Sequence, residues 1–142
     1  MSVARREARC CCGALRAVAV GDPAAVVICH CTECQRRTGS VMGVSAYYPR
    51  ESVKTSGPAA SFTRPGQSGG GFTQHFCPTC GTSLYWEAEL RPGLIGIAVG
   101  AFVDSSFPAP TRSVWEEHKH RWVELGAEIP GHIQGSASAK TR

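Results

Sequence analysis

Cys77-Pro78-Thr79-Cys80-Gly81 sets two thiols on one tight turn. Proline stiffens the turn, and glycine after the second cysteine permits the left-handed backbone that lets both sulfurs converge on one point. Such a knuckle holds half of a tetrahedral zinc site, so a second pair is required. Cys10-Cys11-Cys12-Gly13 supplies it: Cys10, Cys12, Cys77 and Cys80 make a closed four-thiolate set whose halves lie far apart in the chain. The expected architecture is therefore a single, mainly β domain of short antiparallel sheets, with the knuckles at its turns.

Of the eight cysteines, Cys29, Cys31 and Cys34 are left as a group of three, with Cys11 spare. A zinc with three protein ligands keeps its fourth position for water or substrate, as catalytic zinc sites do. The count predicts two Zn²⁺ per chain, one structural and one chemical. The competing arithmetic makes every cysteine structural, in two four-cysteine sites or with His30 as an added ligand.

A disulfide framework would need an oxidising compartment, and Met1-Ser2-Val3-Ala4-Arg5-Arg6-Glu7 has no apolar run of the kind a secretory leader carries, so a cytoplasmic location is expected. The longest apolar stretch, residues 94–103, is broken by Gly96 and Gly100 and reads as a buried strand, not a membrane span. Seven zinc-bound thiolates with two Zn²⁺ lower the formal net charge of +4 by three, so the basic character nearly vanishes. Without a basic stripe interleaved with aromatics, nucleic acid is not an expected partner.

Short strands are expected at residues 15–20, 24–28, 41–48, 52–55, 71–76, 83–87 and 94–103, separated by turn residues. One helix is expected at 32–37, with Thr32 and Gln35 spaced as a capping box and Gly39 as its stop. Residues 57–71, rich in Gly, Ser, Pro and Thr, read as an exposed loop. The 142 residues suit one domain, 1–130, followed by a flexible tail at 131–142 where periodicity is lost.

Taken in order, Cys10 to Gly13, the Cys-His-Cys-x-x-Cys-Arg-Arg run from Cys29 to Arg37, and Phe76 to Thr82 resemble the glutathione-dependent formaldehyde-activating enzyme family, which includes centromere protein V. The resemblance spans about Cys10 to Leu125. It implies a mainly β fold with one four-cysteine and one three-cysteine zinc site. It also implies carbon–sulfur lyase chemistry, the type activity being assembly of S-hydroxymethylglutathione from glutathione and formaldehyde. Family members often carry a histidine where this chain has Ser113, within Pro110-Thr111-Arg112-Ser113-Val114-Trp115; His118 and His120 lie nearby.

Thiol chemistry also follows from the ligands. Three thiolates leave the zinc site with net negative charge and weak Lewis acidity, which suits a soft incoming thiol better than water activation. Arg36 and Arg37, beside Cys34, are the expected contacts for carboxylates of a small thiol such as glutathione or its aldehyde adduct. Two other functions fit the same cysteines: a non-catalytic zinc-stabilised binding module of the centromere protein V type, and a redox switch in which the demetallated triplet forms a disulfide.

Overall fold

In the computed structural model, which describes residues 3–142, ten strands form two sheets. In chain order these are β1 (Arg5–Arg9), β2 (Arg16–Val20), β3 (Ala25–Cys29), β4 (Gly43–Pro49), β5 (Val53–Ser56), β6 (Ala60–Pro65), β7 (Gly71–Phe76), β8 (Ser83–Ala88), β9 (Leu94–Ala98) and β10 (Arg112–Val114), with one helix, α1 (Thr32–Thr38), between β3 and β4. The small sheet runs β1-β2-β5 and the large one β10-β3-β4-β9-β8-β7-β6. All neighbours are antiparallel except β10, which lies parallel to β3. Met1 and Ser2, part of the stretch read for a leader, lie outside the described residues.

Alternation along β4 decides what each face of the large sheet does. Ala46 and Tyr48 point to one side, where with Leu84, Ile95 and Ile97 they meet Ala8, Leu15, Ala17, Ala19 and Val53 of the small-sheet layer to form the core. Alanine at the contact positions of β1 and β2 lets the two backbones approach closely. Ser45 and Tyr47 point to the other side, which bears the cavity described below.

The seven expected strands appear with ends shifted by a few residues, and the apolar stretch from Leu94 leaves the sheet at Ala98 for a short 3-10 turn, Val99–Phe102. Three strands were not expected. β6 falls in the expected loop 57–71: it is an edge strand, mostly exposed and paired only with β7, so no apolar alternation betrays it. β1 reads as a charged end because, of its five residues, only Ala8 is buried. β10 has three residues and is too short to show a period. In α1 the cap is Cys31, whose Sγ accepts from the Cys34 N–H at 3.3 Å, in place of the expected Thr32–Gln35 box; Gly39 does end the helix, at φ 69°.

The expected tail at 131–142 is docked. Gly131 bridges to Ser113 and His132 to Lys140, while the Arg142 guanidinium donates to both Glu116 carboxylate oxygens at 2.6 and 2.8 Å. Periodicity fails here because the segment is held by backbone bridges and one ion pair, not by an apolar stripe. Burial opposes ionisation of Glu116, but hydrogen bonds from Thr141, Ser113 and Arg142, with Lys119 nearby, outweigh it and hold the carboxyl at about 2. Its stabilising contribution is present above the ordinary glutamate pKa of about 4.3 and is lost as pH falls toward 2. Urea unfolding in excess zinc should therefore find Glu116→Gln less stable than the parent by about 2 kcal/mol at pH 6, with the gap narrowing below about pH 4 and closing only as pH approaches about 2. A gap that is constant with pH would mean that the carboxylate charge is not what holds the segment.

Candidate functional site

The two cysteine groups expected from spacing are both assembled. Within each, every sulfur lies inside 4.8 Å of the others. Cys10 ends the β1 side and Cys77 the β7 side of two separate hairpins, so the four-cysteine group joins the small sheet to the large one. Each turn has knuckle geometry: the Leu15 N–H donates to Cys10 Sγ at 3.2 Å and the Cys80 N–H to Cys77 Sγ at 3.5 Å, with Gly13 at φ 82° and Gly81 at φ 78°. Cys12 Sγ is 3.6 Å from both Cys10 Sγ and Cys77 Sγ. Sulfurs at the corners of a tetrahedron of zinc–sulfur length about 2.3 Å would be about 3.8 Å apart, so the donors fit a zinc ion.

In the second group, β3 delivers Cys29, the cap position of α1 holds Cys31, and one helical turn brings round Cys34. Cys31 and Cys34 are buried. Hydrogen bonds from Cys29 and Cys31 outweigh burial and, with Arg37, hold Cys34 at about 2, whereas contact with Cys31 and Cys34 drives the Cys29 thiol far up. Crowding of the three sulfurs opposes a second and a third negative charge, which a bound cation would offset. That donor set fits a soft divalent metal.

These three cysteines form one end of a cavity of about 390 Å³ on the open face of the large sheet. None of Cys10, Cys12, Cys77 or Cys80 borders it. Tyr47 and Phe72 line it, while Tyr48 and Tyr85 belong to the core. Trp115, turned at φ 60°, also lines it, whereas Trp122 is 71% exposed and away from it. The hairpin tip between β6 and β7 forms one rim, with Gln67 reaching Thr32 Oγ1 at 3.4 Å, and residues 135–137 form another.

Arg36 and Arg37 part company. Arg37 lines the cavity, its guanidinium 4.0 Å from the Trp86 ring centre and its Nη2 3.9 Å from Cys34 Sγ. Arg36, one residue back and so about 100° round the helix, is 71% exposed and paired with Glu33 at 2.7 Å, outside the cavity. Glu33 is thereby engaged on the outer surface. Trp86 lies flat because Gly96 is opposite it on β9: a Cβ there would strike the indole Nε1.

His30 does not meet a ligand sulfur. It is fully buried, and its Nε2 is 2.9 Å from Ser113 Oγ, so β10 holds the loop between Cys29 and Cys31 through Ser113. Desolvation lowers His30 to about 4, which keeps it neutral near pH 7. His118 and His120 stay outside the cavity; the His120 ring meets Gln35 Oε1 at 3.0 Å. Spacing alone missed Ser45, Arg64, Arg91 and residues 135–137 as cavity lining.

The sequence pattern of the family described as "Glutathione-dependent formaldehyde-activating enzyme" matches residues 5–118. The chain belongs to that family. Among solved structures, a Rhodobacter sphaeroides protein determined as a structural-genomics target is similar, with a TM-score of 0.53 and 19% identity, covering 67% of this chain and 85% of that one. That likeness concerns the fold. No curated protein matches the chain significantly. The formaldehyde-activating family pattern takes in both cysteine groups, whereas the rim at 135–137 lies beyond its last matched residue. Among the described residues no helix is long and apolar enough to cross a membrane.

Proposed function

We propose that this formaldehyde-activating family member is a zinc-dependent carbon–sulfur lyase that makes and breaks a thiol–aldehyde adduct such as S-hydroxymethylglutathione. The observation that carries the reading is the unequal placing of the two groups: Cys29, Cys31 and Cys34 open onto a cavity, while the four-cysteine group ties two sheets together away from it. Zinc on the triplet would supply a soft position that keeps an incoming thiol as thiolate near neutral pH.

Arg37, against Cys34 and stacked on Trp86, offsets the negative charge of the sulfurs. The substrate thiolate sulfur gives an electron pair to the aldehyde carbon, the carbon–sulfur bond forms, and the C=O π pair moves to oxygen, which takes a proton. The reverse breaks that bond and returns aldehyde and thiol. Burial raises the Tyr47 hydroxyl, so it stays protonated and serves as hydrogen-bond donor to the developing oxygen charge, with Ser45 beside it. Apolar Val27, Phe72 and Trp115 keep water from the adduct.

Calorimetry on fully zinc-loaded protein tests the reading. Reduced glutathione should bind at least about tenfold more tightly than S-methylglutathione, which has no thiol to ionise. The protein should also speed the interconversion of ¹³C-formaldehyde and its glutathione adduct in exchange NMR. Equal affinity for the two compounds, with exchange unchanged, would remove the lyase reading.

A further inference from the structure

Arg64, Arg91 and Arg112 stand out because nothing in the chemistry above uses them. Arg64 and Arg91 border the cavity from β6 and from the turn after β8. Each is laid on an aromatic ring, Arg64 over Phe72 at 4.4 Å and Arg91 over Tyr47 at 5.1 Å, which fixes the guanidinium planes. Arg64 Nη1 donates to the Pro65 carbonyl at 3.1 Å, and among the described residues its other guanidinium N–H groups and those of Arg91 have no hydrogen-bond partner. Arg112 shares the cavity-facing side of β10 with Val114, as its pairing with Val27 requires. Its Nε is buried without a partner.

Charge is unbalanced here. Among the described residues, no ion pair includes Arg37, Arg64, Arg91 or Arg112. No aspartate or glutamate lines the cavity. Burial and the neighbouring charge of Arg91 lower the Arg112 pKa, the sign of cations crowded without an anion between them. Arg37 is committed to Cys34, which leaves Arg64 and Arg91 on the cavity lining for a ligand, while Arg112 is not itself part of that lining.

We propose that Arg64 and Arg91, backed by Arg112, form an anion-recognition wall for the end of the substrate remote from its sulfur, so that the cavity selects thiols carrying carboxylates there and disfavours an ammonium. The proposal rests on the thiol reading given above. Paired carboxylates would dock on the stacked guanidinium edges while the sulfur turns toward the triplet, and the wall relieves its own repulsion when the anion arrives. An ammonium finds no acceptor carboxylate on the lining and meets like charge instead.

The test uses protein with cobalt at the cysteine sites, whose sulfur-to-metal absorption reports thiol binding without turnover. Glutathione is compared with its glycyl ethyl ester, which lacks one carboxylate, and with N-acetylglutathione, which lacks the ammonium. The ester should bind about tenfold or more weakly and the acetyl compound at least as tightly as glutathione. Arg64→Gln and Arg91→Gln should each erase most of the discrimination against the ester while leaving the absorption change caused by 2-mercaptoethanol in place. Equal binding of glutathione and ester, or tighter binding of glutathione than of its acetyl derivative, overturns the wall and leaves the thiol site standing. No response to any thiol, 2-mercaptoethanol included, overturns both.

Discussion

Cys80→Ala will unfold or severely destabilise the protein. Cys12 and Cys77 are separated by 65 positions, and a metal bridging them closes a loop of that length between two sheets. By the chain-entropy measure used for cross-links, such a loop is worth about 4 kcal/mol, close to the whole stability of a small domain. Removing one ligand also leaves Cys10 and Cys77, both buried, without the cation that balances them. The expected result is loss of cooperative thermal unfolding, or a midpoint lower by well over 10 °C, with little zinc retained. A variant that melts like the parent would show that the two sheets hold together without this metal.

Cys34→Ala will do the opposite, leaving a folded chain without chemistry. The triplet spans only residues 29–34, already ordered by β3 and α1, so the corresponding entropy term is about 2 kcal/mol, and some of that is offset by replacing a buried thiol with a small apolar group. One zinc of two should remain by elemental analysis, and adduct formation should fall by about a thousandfold or more, since the substrate sulfur loses its anchor. The same asymmetry predicts the order of metal loss in the parent: graded chelator should empty the triplet first, in two distinct steps. Equal destabilisation by the two substitutions, or metal content that never exceeds one per chain, would mean that the cysteines do not divide four and three.

Much of this was legible before any coordinates. Ligand pairs in a knuckle are two to three residues apart, and the glycines that permit their turns, Gly13 and Gly81, sit where positive φ is needed. The strands that carry buried apolar faces announced themselves, as did the helix stop at Gly39. Strands without such a face did not. β6 is mostly exposed at the sheet edge, and β1 is a row of arginines with one buried alanine.

Local sequence thus determined which cysteines group together, because metal ligation depends on spacing and turn chemistry within a few residues. Only the tertiary structure decided which cations face the cavity. Arg36 and Arg37 are neighbours in sequence, yet the helix phase sends one to solvent and one to Cys34. Arg64, Arg91 and Arg112 come from three distant segments, and it is the register of β6 with β7 and of β10 with β3, together with the turn after β8, that brings them to one face. The rim at 135–137 is held by backbone bonds on either side of it, the Trp115 N–H to the Gln134 carbonyl at 2.8 Å and the Ile133 N–H to the Ala139 carbonyl at 2.9 Å. No single segment carries these arrangements, because pairing between strands remote in the chain, not the alternation within any one of them, sets where an arginine points.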